Sequence, residues 1–250
     1  MTYLRISDVD VYSEVLGTGE PLLLLHGGFC SLFHLQPFAD GLSERFTVAA
    51  YERPGHGRTA DIDGPYSHDI STAEAVAYLD ALGLDRVHVL GFSDGAILGL
   101  LLALRHPDRV RSLVSISGNL DPSVFTTTAD TTWPRPEASD QPSAERIHYE
   151  ALSPDGPEHA NVVLDKLFTL WATEPAIAPA DLAAVTAPVL VVSGDRDTIP
   201  VEHSHLIARS LPNGQLCIVP GATHGLVSEK PAVLTAIIRD FHDRLVAISR

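Results

Sequence analysis

The alternation of short apolar runs with helical patterns constrains the fold of this chain more than any other sequence feature. Six runs of four to seven mostly apolar residues are predicted strands, at 21–25, 47–51, 87–90, 110–116, 188–192 and 215–219. Helical patterns lie among them, at 70–82, 96–106, 201–211 and 231–248. Strands that are apolar on both faces are typical of a parallel sheet covered by helices. The chain is therefore predicted to have an α/β fold, built on a mostly parallel wound sheet.

The N-terminal residues have a different pattern. Tyr3–Ile6 and Asp10–Leu16 alternate polar and apolar side chains and are separated by Ser7-Asp8-Val9. This spacing favours an antiparallel hairpin at one edge of the sheet. Together with the six apolar runs, it predicts a sheet of about eight strands with helices on both faces.

The alternation of strands and helices breaks between Leu120 and Thr186. Pro, Thr and Ser are frequent at first, and two helical patterns follow at 143–152 and 158–172. Such a segment is too long for a simple connection. We therefore predict an α/β core over residues 1–120 and 187–250, with a small helical cap inserted at 121–186. Its large aromatic residues are expected to pack or to line a pocket: Trp133, Phe168 and Trp171.

Composition limits the partners of the chain. Its 250 residues can bury a large core without covalent cross-links, and Cys30 and Cys217 offer no disulfide framework. The formal net charge of −15 repels the phosphates of nucleic acids and anionic lipid surfaces. The sequence shows no apolar segment suited to export or membrane insertion. We therefore expect a cytoplasmic protein that acts on a small-molecule substrate and binds neither nucleic acid nor membrane; composition does not indicate an oligomeric state.

The strongest chemical signal is Gly91-Phe92-Ser93-Asp94-Gly95, placed directly between a predicted strand and a predicted helix. In a sharp strand-to-helix turn, glycines two residues either side of a serine avoid clashes with neighbouring backbone, and the hydroxyl is lifted clear of the sheet. The helix N-terminus favours negative charge developing on a substrate oxygen. The same pattern can be a plain helix-capping turn. In this context it predicts Ser93 as a nucleophile.

A serine nucleophile needs a general base and a carboxylate that orients the base. His224 follows the strand at 215–219, whereas Asp195 and Asp197 follow the strand at 188–192. The carboxyl ends of strands are where an open α/β sheet collects its functional residues. Either aspartate could instead be a turn residue that caps the next helix. We predict His224 as the base and Asp197 as the acid, with Asp195 as the alternative.

Backbone N–H groups are predicted to form the oxyanion hole. One belongs to Asp94, and the other to the loop after the strand at 21–25, with Gly28 preferred and Phe29 as the alternative. Asp94 and Phe29 are also expected to contact substrate, and His26 to order the loop. The histidines in helical stretches are expected on the solvated surface: His159, His203, His205 and His242.

Five segments together carry a resemblance to a known family: His26-Gly27-Gly28, Arg53-Pro54-Gly55-His56-Gly57, Gly91-Phe92-Ser93-Asp94-Gly95, Gly194-Asp195-Arg196-Asp197 and Gly221-Ala222-Thr223-His224-Gly225. With these in order, the chain resembles the α/β-hydrolase family over nearly its whole length. The resemblance implies that the second aspartate, Asp197, is the acid, and that a helical cap lies between the sixth and seventh core strands. A serine nucleophile argues against haloalkane dehalogenases, which use aspartate there.

These residues predict a cofactor-independent serine hydrolase that cleaves a small carboxylic ester or lactone through an acyl-enzyme intermediate. No phosphate loop or dinucleotide fingerprint is present, so neither a cofactor nor a metal is expected. Perhydrolases, lyases and carbon–carbon bond hydrolases use the same triad, and some relatives are ligand sensors with slow turnover. These functions are the alternatives.

Asp94 suggests a more specific substrate. A carboxylate beside a developing oxyanion is unfavourable unless its charge meets a cation on the substrate. Proteins that resemble valacyclovir hydrolase also carry Ser-Asp-Gly at this turn and act on amino-acid esters. The alternative is that Asp94, in the first turn of its helix, only complements the helix dipole.

Overall fold

A computed structural model describes residues 2–125 and 143–248. Eight strands form one sheet among these residues: β1 (Thr2–Ile6), β2 (Val9–Leu16), β3 (Glu20–Leu25), β4 (Phe46–Tyr51), β5 (Val87–Phe92), β6 (Val110–Ile116), β7 (Val189–Gly194) and β8 (Gly214–Val219). Their order across the sheet is β1-β2-β4-β3-β5-β6-β7-β8. β2 pairs antiparallel with β1 and β4, and all the other pairs are parallel.

Helices cover both faces of this sheet. They are α1 (Gln36–Leu42), α2 (His68–Ala81), α3 (Asp94–Arg105), α4 (Ala144–Leu152), α5 (Ala160–Thr173), α6 (Val201–Ser210), α7 (Leu226–Glu229) and α8 (Pro231–Ile248). Successive residues of β3 enter opposite cores, since side chains alternate between the faces of a strand. Leu23 and Leu25 pack in the core that contains α2, α3 and α6, whereas Leu22 and Leu24 pack in the core that contains α1 and α8.

The parallel strands present their carboxyl ends at one edge of the sheet. β5 lies between β3 and β6, so the turn that follows it occupies the middle of that edge. The loops after β3, β6, β7 and β8 end at the same edge, where open α/β sheets bind their ligands. The topology therefore collects the loops that carry the predicted site.

The structure confirms the predicted α/β fold, its N-terminal hairpin and its sheet of eight strands. Every predicted strand and helix is present with ends within two residues of those expected. Two short helices, α1 and α7, have no counterpart in the sequence analysis. They contain only seven and four residues, which is too short for a helical period to stand out.

The prediction that His242 lies on the solvated surface is wrong. Its side chain is buried, with Nδ1 2.9 Å from the carbonyl oxygen of Ile238 and Nε2 3.4 Å from Oγ of Ser112. Burial lowers the pKa of His242 to about 4. The helix therefore turns a neutral imidazole toward the sheet, next to the apolar stripe that the sequence shows. Of the other helical histidines, only His205 is exposed.

The segment between β6 and β7 contributes a third, smaller hydrophobic cluster. Its described part contains α4, α5 and short 3₁₀ turns, and no strand. Tyr149 of α4 and Leu167 and Leu170 of α5 pack there with Phe29, which comes from the loop after β3. The division into a core and a cap at 121–186 stays a prediction; part of the cap, including Trp133, lies outside the described residues. No helix within residues 2–125 and 143–248 has the length and apolar character needed to cross a membrane.

Candidate active site

Ser93 lies on the turn between β5 and α3 in a conformation that few residues adopt. Its φ of 53° and ψ of −118° are strained for a side chain other than glycine, and such strain is typical of functional positions. A Cβ on Gly91 would lie 2.0 Å from the carbonyl oxygen of Gly95, and one on Gly95 would lie 2.2 Å from that of Leu25. Both glycines are therefore required by the close approach of helix and strand, as the motif predicts.

The structure brings Ser93, His224 and Asp197 together in one hydrogen-bonded chain. Nε2 of His224 lies 3.1 Å from Oγ of Ser93, and Nδ1 lies 2.8 Å from Oδ1 of Asp197. The aspartate side chain is fully buried, whereas the imidazole is about one third exposed, at 33%. Three loops that are far apart in sequence thus place a hydroxyl, an imidazole and a carboxylate in line.

Asp197 is held in its ionised form by its neighbours. Burial by itself raises the pKa of this carboxyl group, but the contacts with His224, Ser117 and the N–H of Ile199 outweigh it, so that the pKa is lowered. Ser117 donates to Oδ2 at 2.5 Å, and the N–H of Ile199 donates to Oδ1 at 3.0 Å. The sequence analysis does not identify Ser117. Its position directly after β6 is the sequence signal that could have marked it as a site residue.

Asp195, the alternative acid, lies in a different environment. Its Oδ1 accepts hydrogen bonds from the backbone N–H groups of Gly221 at 2.7 Å and Ala222 at 3.3 Å. These bonds join the loop after β7 to the loop that carries His224. The structure therefore places Asp195 as a support for the loop and Asp197 against the imidazole.

Arg53 and His26 hold the loop after β3. The Arg53 guanidinium donates to the carbonyl oxygens of His26 at 2.6 Å and Gly27 at 3.1 Å, and the Arg53 N–H donates to Nε2 of His26 at 3.0 Å. Burial and the adjacent Arg53 charge hold the pKa of His26 well below its ordinary value. A neutral His26 thus orders the loop, as the sequence analysis expects.

The candidate oxyanion-hole residues lie close to the nucleophile. A Cβ on Gly27 would lie 3.2 Å from Cβ of Ser93, so this loop passes directly beside the turn. α3 begins at Asp94, and the first N–H groups of a helix have no partner within it. Phe29 has a φ of 53°, and its ring stacks on Tyr149 with a centroid distance of 5.2 Å. The structure therefore places the Phe29 side chain under α4.

The Asp94 carboxylate faces the loop after β3 and the segment between β6 and β7. Oδ1 accepts a hydrogen bond from Nε1 of Trp171 at 2.9 Å, and Oδ2 lies 4.0 Å from Nη2 of Arg53. A Cβ on Gly28 would lie 2.5 Å from both Asp94 Oδ2 and Trp171 Cζ2. Glycine at 28 therefore allows these two side chains to lie against the backbone there. Recognition of a cationic substrate by Asp94 stays a prediction.

A second polar cluster fastens α5 to the loop before α2. The Asp61 carboxylate accepts hydrogen bonds from the Tyr66 hydroxyl at 2.6 Å and the Lys166 ammonium at 2.7 Å, and lies 2.8 Å from Nε2 of His159. Burial raises the pKa of Asp61, but these donors more than offset it, so that the pKa is lowered. Sequence reasoning missed this cluster, because His159 and Lys166 are about one hundred residues from Asp61 and the cluster belongs to no motif.

The described residues offer no metal centre. Within 2–125 and 143–248, no group of three or more His, Cys, Asp or Glu side chains is arranged to hold a metal ion. Arg53 is the buried cation nearest the site, and its guanidinium is bonded to the loop after β3.

Comparisons with known proteins identify the family of this chain. The model of the Alpha/beta hydrolase family matches residues 22–237. A protein of Variovorax paradoxus named "Putative carbamate hydrolase RutD" is 30% identical over 92% of this chain and 94% of its own length. A protein of the same name from Azorhizobium caulinodans is 36% identical, but the match spans 47% of this chain and 44% of that protein.

Among solved structures, the enol-lactonase of Burkholderia xenovorans superposes with a TM-score of 0.75 at 21% identity. The superposition covers 96% of this chain and 99% of the lactonase, and it shows a shared fold. The family model matches well over half of the chain. This chain belongs to the alpha/beta hydrolase family and is a hydrolase.

Proposed function

We propose that the protein is a serine hydrolase that cleaves a small carboxylic ester or lactone through an acyl-enzyme intermediate. The observation that carries this proposal is the continuous chain from Ser93 Oγ through His224 to the buried Asp197, with separations of 3.1 Å and 2.8 Å. Each separation lies within reach of a direct proton transfer or hydrogen bond.

In the acylation step, Ser93 Oγ attacks the substrate carbonyl carbon while His224 Nε2 takes the hydroxyl proton. The carbonyl electron pair moves onto oxygen, where the N–H groups of Asp94 and of Gly28 or Phe29 stabilise the negative charge. The oxyanion then reforms the carbonyl, the alkoxide leaves, and His224 returns the proton to it. Asp197, held ionised by its hydrogen bonds, stabilises the imidazolium throughout.

Deacylation repeats these roles with water. His224 removes a proton from water, the resulting hydroxide attacks the acyl carbon, and the Ser93 oxygen leaves with the proton that His224 returns. The products are a carboxylic acid and free enzyme. In a lactone, the leaving alkoxide belongs to the same molecule, so hydrolysis gives a hydroxy acid.

We also propose that residues 121–186 form a cap over this site and that Phe29 and Asp94 contact the substrate. The contacts between Tyr149 and Phe29, and between Trp171 and Asp94, support this arrangement. Both join a residue beside the nucleophile to a helix of the inserted segment. A closed site of this kind favours a small substrate.

Carbamate hydrolysis is a second candidate, favoured by the names of the curated relatives. A carbamate presents the same electrophilic carbonyl, and the oxyanion hole and base would act in the same way. The difference lies at the carbonyl carbon, which in a carbamate bears one nitrogen and one oxygen substituent. The leaving group is therefore either an alcohol or an amine. The name of the lactonase neighbour favours the cyclic ester.

A substrate panel tests the proposal. Aryl and alkyl esters, lactones, amides and carbamates of similar size are assayed with wild type and Ser93→Ala. We expect turnover of an ester or lactone that Ser93→Ala abolishes. Fast turnover of carbamates alone would favour the second candidate, and ligand retention with slow turnover of every compound would favour a sensor. Ester turnover that persists in Ser93→Ala would contradict the proposal.

A further inference from the structure

Asp94 also lines a chamber whose lining includes neither Ser93 nor His224. About 420 Å³ of space, a figure that includes open solvent, lies between the loop after β4, the start of α2 and α5. Its polar lining consists mainly of Arg53, His56, His68, Glu74 and Asp94. Asp94, the residue directly after the nucleophile, is thus part of the lining.

His56 lines this chamber and carries a buried acceptor without a partner among the described residues. The side chain is 3% exposed, and Nδ1 lies 2.9 Å from the carbonyl oxygen of Pro54, so Nδ1 carries the proton. Nε2 is buried and has no hydrogen-bond partner among the described residues. Burial and the Arg53 charge lower the pKa of His56 to about 4, which keeps the ring neutral and Nε2 a hydrogen-bond acceptor.

His68 carries a second buried acceptor without a partner among the described residues. It is 2% exposed, and Nδ1 lies 3.2 Å from the Glu174 carboxylate, within ion-pair distance but without the alignment of a hydrogen bond. The adjacent carboxylate favours the tautomer with the proton on Nδ1. Nε2 then carries a lone pair, and within the described part of the chain it has no partner. Burial lowers the pKa of His68.

Glu74 adds a carboxyl group. Its Oε2 is buried and has no hydrogen-bond partner among residues 2–125 and 143–248. Burial raises the pKa of Glu74 to about 7, despite the opposing charge of Arg53. Near neutral pH a large fraction of Glu74 is therefore protonated and able to donate a hydrogen bond.

The hydrogen-bond donors and acceptors of His56, His68 and Glu74 favour one kind of ligand. Two neutral imidazole acceptors call for a ligand with two N–H or O–H donors, which a carboxylate or a fully ionised phosphate lacks. The charges of Arg53 and Asp94, which lie 4.0 Å apart in the lining, offset each other, which favours a neutral ligand. A buried, protonated carboxyl group pairs well with a neutral carbonyl oxygen. A primary amide combines two N–H donors with one carbonyl acceptor.

We propose that this chamber is a subsite for a primary amide or carbamoyl group, in which His56 and His68 accept its N–H groups and Glu74 donates to its carbonyl oxygen. The proposal rests on the proposed function, because the bound group is placed on the substrate whose ester or lactone carbonyl reaches Ser93. It assigns recognition to three residues outside the triad. Buried polar atoms without partners cost stability, and a ligand that pairs with them recovers that cost as affinity.

Binding is measured first in Ser93→Ala, so that catalysis plays no part. The protein is prepared with ¹⁵N-labelled histidine and titrated with acetamide, and with N,N-dimethylacetamide as a ligand without N–H donors. We expect acetamide to shift the Nε2 resonances of His56 and His68, with the exposed His205 unchanged, and dimethylacetamide to leave all three unchanged. No shift with acetamide means that the chamber holds only water, which overturns the proposal whether or not the protein hydrolyses esters.

Specificity is measured second, with p-nitrophenyl esters whose acyl chains end in a primary amide and matched methyl ketones of equal length. Wild type should prefer the amide in kcat/KM by about tenfold, the effect of two satisfied buried acceptors. His68→Phe should remove that preference, whereas the control His205→Phe, on the exposed face of α6, should keep it. An equal preference in both variants, or none in wild type, would overturn the subsite. Should His68→Phe fail to fold, the titration of Ser93→Ala decides.

Discussion

The two sides of Asp94 differ in how their polar atoms are satisfied. On the triad side, the Asp197 carboxylate receives hydrogen bonds from Ser117, Ile199 N–H and His224, and the imidazole also reaches Ser93. On the chamber side, Nε2 of His56, Nε2 of His68 and Oε2 of Glu74 are buried without hydrogen-bond partners among the described residues.

This difference indicates separate roles for the two sides, with reacting groups on one and recognition groups on the other. A reacting group must have its geometry fixed before substrate arrives, so its partners belong to the protein. A recognition group must be left free for the ligand and costs stability until the ligand binds. We therefore propose that the loops after the strands carry the chemistry and that the surface between α2 and α5 selects the substrate.

The largest expected effect comes from removing the nucleophile. Ser93→Ala should lower kcat for the preferred ester by about 10⁴-fold or more, with an unchanged fold, because it removes one partly exposed hydroxyl. His224→Ala should match it, and the double variant should be hardly worse, since the residues act as a unit. Steady-state kinetics and circular dichroism measure both. Additive losses in the double variant would break the assignment of the triad side.

The next effect separates the two aspartates. Asp197→Asn should lower kcat by about 10³- to 10⁴-fold, because an amide neither fixes the imidazole tautomer nor stabilises the imidazolium. Asp195→Asn is the matched control, since an amide oxygen can still accept from Gly221 N–H, and it should cost less than about tenfold. Kinetics on the same ester give the order, and the reverse order would exchange the two residues.

The third effect is a pH dependence of the free energy of unfolding, which we expect from the burial of Glu74 on the chamber side. Glu74 has a pKa of about 7 in the folded protein against 4.5 for an ordinary glutamate. The folded state thus binds the proton more tightly, and this contribution is present below pH 4.5 and is lost as the pH rises through 7. Relative to Glu74→Gln, wild type should lose up to about 3 kcal/mol of unfolding free energy between pH 4.5 and pH 8. Urea unfolding of both proteins at several pH values measures this, and a difference that does not vary with pH would show that Glu74 is not held in a desolvated chamber.

The smallest expected effect comes from removing the contact between Trp171 and Asp94, the residue that separates the triad side from the chamber side. Trp171→Phe removes the hydrogen bond to Asp94 Oδ1 and should lower kcat/KM by up to about tenfold, because it leaves a buried acceptor without one donor. Asp94→Asn keeps an acceptor for Trp171 and removes the charge. Comparing an α-amino ester with its desamino analogue in wild type and Asp94→Asn then tests recognition of a cation. A preference for the amine that is lost in Asp94→Asn would support it, and equal rates would leave Asp94 as a partner of Trp171.

The residues of the triad side could be proposed from sequence because each of them lies in the turn or loop that follows a strand. Apolar runs locate the strands, and Ser93, Asp197 and His224 lie within a few residues of their ends. The same local signals predicted the sheet and the long helices. Ser117 also follows a strand, but a single serine there is too common to be informative.

The chamber side could not be predicted in this way. His56, His68 and Glu74 come from a loop and a helix, and the chamber that they line also contains residues of α3 and α5. The Asp61 cluster and the contact between Asp94 and Trp171 likewise join residues separated by about eighty to one hundred positions. Such contacts depend on tertiary packing, which periodicity along the chain does not encode. His242 illustrates the same limit, since a polar residue beside an apolar stripe can face either way.

Trapping of the acyl-enzyme tests the central claim most directly. Wild type is mixed with an excess of a p-nitrophenyl ester, quenched in acid within the first turnovers, and measured by intact-protein and peptide mass spectrometry. We predict a burst of one p-nitrophenol per protein and a single added acyl group on the peptide that contains Ser93, with neither in Ser93→Ala. Steady turnover with no burst and no acyl group on Ser93, or an acyl group on another residue, would contradict the account.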